Sequence, residues 1–143
     1  MLVKDVMNTD VKTIGPGESV LDASKVMNEF KIGCLVVISG NKMKGIITER
    51  DILERVVAED RKASTVLVRD AMTTDLVLIE QDRDIAEAAD MMSKSHVKKL
   101  PVVSGHSLVG MLSASDLASA QPKLIEKISK LMVFPKTGKN VAG

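Results

Sequence analysis

Val3-Lys4-Asp5-Val6-Met7 returns as Val68-Arg69-Asp70-Ala71-Met72, and Gly45-Ile46-Ile47-Thr48-Glu49-Arg50-Asp51 returns as Gly110-Met111-Leu112-Ser113-Ala114-Ser115-Asp116. Between these anchors Thr9-Asp10 matches Thr74-Asp75, and Ser39-Gly40 matches Ser104-Gly105. Residues 3–53 and 68–118 are therefore one segment written twice, at a constant offset of 65 without a gap. An internal repeat decides the architecture before local propensity does. A unit of about 55 residues is too small to bury a good core alone, so two are expected to pack about a pseudo-two-fold axis. Any cleft on one unit then has a counterpart on the other.

Each repeat reads as strand, helix, strand, strand, helix, which makes the fold class α/β (α+β). In the first, Val11–Ile14 is a short strand that Gly15-Pro16-Gly17 breaks. Ser19 opens a helix with Asp22 as its capping-box partner. Val20, Ala23, Val26, Met27 and Phe30 then fall on one face, and Lys31-Ile32-Gly33 ends the helix. Cys34–Ile38 is a buried strand, Ser39-Gly40-Asn41 a turn, and Met43–Thr48 the hairpin partner. A second helix runs from Glu49 to about Glu59. The second repeat copies this order. Asp84 and Glu87 replace the capping pair, and Ile85, Ala88, Ala89 and Met92 form the apolar face. Leu100–Val103 and Leu108–Ser113 form the hairpin, with Pro101 expected at a strand start or a sheet edge. The predicted organisation is motif 1 over 1–60, a linker over 61–66 within the polar stretch Glu59–Thr65, motif 2 over 67–120, and a C-terminal segment over 121–143. That segment starts an amphipathic helix at Gln121-Pro122, with Leu124, Ile125, Ile128, Leu131 and Met132 on one side. From Phe134-Pro135 onward a polar, frayed tail is expected.

Composition excludes several function classes. The chain has 143 residues, 45% hydrophobic and 27% charged, with a net charge of +1. Its Lys and Arg are dispersed rather than gathered into the basic patch of a nucleic-acid binder. Its apolar runs, such as Leu35–Ile38, are far shorter than the ~20 residues a membrane span needs. No signal-peptide pattern opens the sequence. The single Cys34 fits a reducing cytoplasm. His96 and His106 stand apart from any Cys or carboxylate cluster, so no metal site is expected. No phosphate-binding Gly-rich loop, nucleophile elbow or zinc-protease motif occurs, so no catalytic residue is assigned and no enzyme is expected.

The ordered set of motifs resembles a tandem pair of cystathionine-β-synthase-type (CBS) domains, a Bateman module, over roughly residues 1–120. The resemblance is carried by Asp-Val-Met-Asn and Asp-Ala-Met-Thr at the unit starts, by Val97-Lys98-Lys99-Leu100-Pro101-Val102-Val103, and by two Gly-h-h-[Thr/Ser]-x-x-Asp segments. It implies a pseudo-symmetric module with two clefts that take adenosine-containing ligands (AMP, ADP, ATP or S-adenosylmethionine), a regulatory role, and a homodimer. The ligand stays open among these four, and the dimer between parallel and antiparallel forms.

Thr48-x-x-Asp51 and Ser113-x-x-Asp116 admit two readings. As capping boxes they only start helices. As ligand groups, the carboxylate holds a ribose diol, as acidic residues do at dinucleotide sites, and the hydroxyl and helix N-terminus meet a phosphate. The resemblance carries two residue sets over. The first cleft combines Lys12, Thr13, Ile32, Gly33, Cys34 and Leu35 with Met111, Ser113, Ser115 and Asp116. The second combines Val77, Leu78, Val97, Lys98, Lys99 and Leu100 with Ile46, Thr48, Arg50 and Asp51. Arg50, Lys98 and Lys99 make the second set the more basic, hence the better suited to phosphate. Against this regulatory reading stands a ligand-free interaction module with vestigial clefts, working through the helix from Pro122 to Met132. Self-association is expected through the apolar face of the second helix: Ile52, Leu53, Val56 and Val57, with Leu117 and Ala118 in repeat 2.

Overall fold

The computed structural model describes residues 1–132. In chain order its elements are α1 (Val3–Val6), β1 (Thr13–Ile14), α2 (Val20–Phe30), β2 (Cys34–Ser39), β3 (Lys42–Thr48), α3 (Glu49–Ile52), α4 (Val68–Ala71), β4 (Ile79–Glu80), α5 (Ile85–Ser95), β5 (Lys99–Ser104), β6 (Ser107–Ser113), α6 (Ala114–Ala120) and α7 (Ile125–Met132). A π-helical turn, Leu53–Val57, prolongs α3, and 3₁₀ turns lie at Ala63–Thr65 and Pro122–Leu124. The mixed α+β class expected from the repeat is what forms: two three-stranded sheets, ordered β1-β2-β3 and β4-β5-β6. In each, the first strand runs parallel to the second and the second antiparallel to the third. The expected tail beyond Phe134-Pro135 lies outside the described residues.

The compact units are exchanged relative to the sequence repeats. One unit is Asp10–Leu76; the other joins Met1–Thr9 to the residues from Val77 onward. Each repeat thus lends its leading segment to the sheet of the other repeat.

In the unit Asp10–Leu76, Ser19 Oγ accepts from Asp22 N at 3.0 Å and starts α2 as expected. The helix stops at Lys31, which takes the left-handed conformation (φ 54°), at the start of the Lys31-Ile32-Gly33 stretch expected to end it. Apolar side chains of α2 and of the hairpin then enclose a core of Val20, Ala23, Met27, Leu35, Val37 and Ile47. Val66, Val68 and Ala71, from beyond the linker, complete it. Their segment is stapled at both ends. Leu67 bridges Ser19, with Val20 N donating to Val66 O at 2.8 Å. Thr73 bridges Ile46, with reciprocal bonds of 2.8 and 2.9 Å. Gly45 makes the crossing possible: a Cβ there would stand 2.6 Å from Thr73 O and 2.9 Å from Met72 Sδ. The strand expected over Val11–Ile14 shortens to Thr13–Ile14. The second helix, expected as one run to Glu59, widens after Ile52, where Ala58 N donates to Leu53 O and Arg61 N to Val56 O five residues back.

The other unit repeats these devices. Leu2 bridges Asp84, Asn8 bridges Met111, and Val3 enters a core with Ile85, Met92, Leu100 and Leu112. Gly110 is the crossing point, where a Cβ would stand 2.6 Å from Met7 Sδ. Two details differ from expectation. Asp84 caps α5 through Ala86 N (2.8 Å), while Glu87 pairs instead with Arg83 at 3.1 Å, so the two form no box. Pro101 sits inside β5, the central strand, rather than at a strand start or an edge. It is tolerated because β4 is short and pairs only from Val102 onward. The equivalent Val36 donates its N–H to Lys12 O at 3.2 Å, a bond that proline cannot make.

α7 belongs to this second unit. Leu124 and Ile128 are buried in its core and Leu131 packs against it, whereas Ile125 turns outward, contrary to the expected stripe. Lys127 Nζ lies 3.1 Å from Asp90 Oδ1 on α5.

Candidate functional site

The two Thr/Ser-x-x-Asp segments occupy equivalent places, at the end of each hairpin where a helix begins. Both are complete capping boxes. Asp51 N donates to Thr48 Oγ1 (3.1 Å) and Thr48 N to Asp51 Oδ2 (3.0 Å). Asp116 N donates to Ser113 Oγ (3.0 Å) and Ser113 N to Asp116 Oδ2 (3.1 Å).

The carboxylates then diverge. Thr73 Oγ1 donates to Asp51 Oδ1 at 2.9 Å, and Arg55 Nη1 stands 3.7 Å from the same oxygen. Arg55 is itself fixed by the carbonyls of Ala71 and Met72, at 2.8 and 2.7 Å. The Asp51 side chain is 9% exposed, and Asp51 is the only charged residue buried among the described ones. The equivalents of Thr73 and Arg55 are Asn8 and Ala120, and Asp116 is half-buried. Sequence reasoning missed both partners of Asp51. Arg55 was visible as an i,i+4 partner, and Thr73 as the hydroxyl that follows the repeated Met.

Within Asp10–Leu76 the remaining expected residues fall at the strand entries. Lys12 Nζ pairs with Asp10 Oδ1 at 3.0 Å and lies 4.2 Å above the Phe30 ring, a cation–π contact. Thr13 is exposed and Ile32 half-buried. Gly33 O accepts from Glu49 N at 3.0 Å. Cys34 is half-buried and pairs across the hairpin with Thr48, although the resemblance assigns these two to different clefts. Leu35 is fully buried in the core and can offer a ligand only its main chain. Ile46 is held by the Thr73 bridge. Arg50 is exposed and its Nε lies 2.6 Å from Glu54 Oε1.

In the other unit, Val77 is half-buried and Leu78 exposed just ahead of β4. Val97 is half-buried, Lys98 and Lys99 are exposed, and Leu100 is in the core. Lys98 O accepts from Ala114 N at 2.8 Å, as Gly33 O does from Glu49 N. Lys99 pairs with Ser113 across the hairpin, Met111 is bridged to Asn8, and Ser115 is exposed. Among the described residues no group of three or more His, Cys, Asp or Glu is placed to hold a metal ion. No helix there is long and apolar enough to cross a membrane.

The profile of the CBS domain matches residues 3–58 and 68–123, the two repeats. The chain belongs to the CBS-domain family. This CBS pair is 33% identical over 119 residues to the CBS domain-containing protein YhcV of Bacillus subtilis, covering 83% of this chain and 84% of that protein. A conserved CBS-domain protein of Thermoplasma acidophilum superposes with a TM-score of 0.82 at 28% identity, over 96% of this chain and 83% of that one. A hexameric CBS-CP12 protein from bloom-forming cyanobacteria superposes with a TM-score of 0.75 at 28% identity, over 82% of this chain and 66% of that one. CBS-domain pairs of this kind are generally regulatory.

Proposed function

We propose that this CBS pair is a stand-alone sensor of an adenosine-containing ligand: AMP, ADP, ATP or S-adenosylmethionine. It works in the cytoplasm without turning the ligand over and signals through the conformation of a homodimer. The observation that carries the reading is the twofold Thr/Ser-x-x-Asp segment at the end of each hairpin, beside the strand entries at Gly33 and Lys98. A carboxylate in that place suits a ribose diol. Asp116, half-buried and with Ala120 in the place of Arg55, is the better placed of the two to accept new donors. Of the residue sets that the resemblance assigns, Arg50, Lys98 and Lys99 belong with Asp51 in the second, so they supply cations for the phosphate of a ligand in that cleft and not of one held by Asp116. The single Cys34 fits a reducing compartment. A ligand shifts the dimer only as far as it binds two states differently.

Thermal denaturation with each of the four ligands tests this. A ligand at a hundredfold excess over its Kd adds about 2.7 kcal/mol of stability, and Asp116→Ala is expected to remove the shift. No shift with any of the four, at millimolar concentration, overturns the reading.

A second reading has its own observation. Both aspartates serve as helix caps, and Asp51 is fully engaged within its unit. Vestigial clefts on an interaction module predict that outcome, and the same titrations decide between the two.

A further inference from the structure

The Asp51 carboxylate is almost fully taken up by its own unit. Oδ2 accepts from Thr48 N at 3.0 Å, Oδ1 accepts from Thr73 Oγ1 at 2.9 Å, and Arg55 Nη1 faces the same Oδ1 at 3.7 Å. A carboxylate has about four lone-pair sites, so about one is left. A ribose diol brings two hydroxyls. Both cannot be accepted while all three donors stay, and a side chain only 9% exposed cannot turn elsewhere to meet them.

The three donors are not equally fixed. Thr48 N is main chain and half of the capping box that starts α3. Arg55 is pinned by the carbonyls of Ala71 and Met72, at 2.8 and 2.7 Å. The Thr73 hydroxyl turns about a single bond, and it is a donor of the same kind as a ribose hydroxyl, so one can replace the other without leaving the carboxylate short. We propose that Thr73 is a latch on the Asp51 site: a ligand's ribose hydroxyl displaces the Thr73 hydroxyl from Oδ1, and the segment that ends at Thr73 loosens in consequence. This rests on the adenosine reading above and names the residue that regulates one of its two sites. Thr73 is bonded to Ile46 through its main chain in both directions, and its carbonyl closes on Gly45. Shortly after it, at Val77, the chain passes into the other unit. Occupancy of Asp51 is therefore coupled to the stretch of chain that joins the two units. The coupling is reciprocal: what holds Thr73 in place weakens the ligand, and the ligand weakens the hold on Thr73. Apparent affinity falls by the fraction of molecules in which the latch is open. At the equivalent position Asp116 has Asn8 in place of Thr73 and Ala120 in place of Arg55, so an exchange of hydroxyl for hydroxyl exists at Asp51 alone.

Calorimetric titration of the full chain in an Asp116→Ala background, with ATP and 2′,3′-dideoxy-ATP, tests the latch. Thr73→Val/Asp116→Ala is expected to bind ATP about tenfold or more tightly than Asp116→Ala, because the ribose then supplies the donor that Asp51 lacks. The dideoxy analogue is expected to gain nothing, and Thr73→Ser/Asp116→Ala to bind as Asp116→Ala does. Thr73→Ala replaces Thr73→Val if that variant does not fold. Hydrogen exchange of the wild type needs no variant: the Thr73 amide, bonded to Ile46 O at 2.8 Å, is expected to exchange faster with saturating ATP than with the dideoxy analogue. No gain in affinity from the loss of the Thr73 hydroxyl, while the wild type binds any of the four ligands, overturns the latch and leaves the adenosine reading standing. An equal gain for the dideoxy analogue overturns displacement by the diol, and equal exchange at Thr73 overturns the loosening. A wild type and variants that bind none of the four ligands overturn the reading and the latch together.

Discussion

Thr73 Oγ1 donates to Asp51 Oδ1 at 2.9 Å across 22 residues of chain. The bond joins the cap of α3 to the strand-like segment that follows α4, so a local helix start becomes a long-range tie. Thr73→Val keeps the shape and removes the donor. It is expected to destabilise the protein by about 1–3 kcal/mol, because a buried carboxylate loses a partner. Urea denaturation measures this; an unchanged midpoint refutes it. The equivalent Asn8→Ala leaves Asp51 untouched.

Asp51→Ala and Asp116→Ala separate architecture from binding. Asp51→Ala is expected to lower stability without ligand by about 2 kcal/mol or more, since it removes the cap and strands Thr73 and Arg55. Asp116→Ala is expected to cost about 1 kcal/mol, the value of a cap, and to weaken adenosine ligands about tenfold or more. Calorimetric titration against AMP and ATP checks it. Equal effects of the two changes on binding refute the assigned difference.

Gly45→Ala and Gly110→Ala are expected to destabilise by roughly 1–3 kcal/mol each, through overpacking against Met72 and Met7 and the carbonyls beside them. Gly17→Ala, where a Cβ meets nothing within 4 Å, is the control and is expected to stay within about 0.5 kcal/mol of wild type. Thermal melts of the three variants suffice, and a harmless Gly45→Ala refutes the close crossing.

α7 is expected to behave as part of the core. Ile128→Ala should cost about 2–5 kcal/mol as a large-to-small change at a fully buried position. Lys127→Ala, which breaks only the exposed pair with Asp90, should cost about 1 kcal/mol or less. Guanidinium denaturation of both distinguishes a packed helix from a loosely attached one, for which Ile128→Ala would be silent.

The order of strands and helices was legible in the sequence because apolar period and turn chemistry are local signals: Ser19 with Asp22, Gly40-Asn41, and the β-branched run from Cys34 to Ile38. The exchange of leading segments was not. Val68 is an apolar residue at the start of a helix whichever sheet it joins, and the crossing shows only in long-range features: the bonds between Thr73 and Ile46 and the lack of room for a Cβ at Gly45. Ile125 lies more than a quarter-turn around the helix from Leu124 and from Leu131, at the margin of the expected stripe, and faces outward. At the candidate site the aspartates were identifiable from their twofold recurrence, whereas the commitment of Asp51 depended on Thr73, 22 residues away.

The exchange also sets an order of events during synthesis. Every residue of the unit Asp10–Leu76 has been made once Leu76 is joined, so that unit can close while the rest of the chain is still being translated. The first nine residues cannot: their anchor points, Asp84 and Met111, come late. Residues 1–9 are thus made before the unit Asp10–Leu76 but placed after it, and Val3 is kept waiting for about a hundred residues, some 5–20 s at ordinary elongation rates.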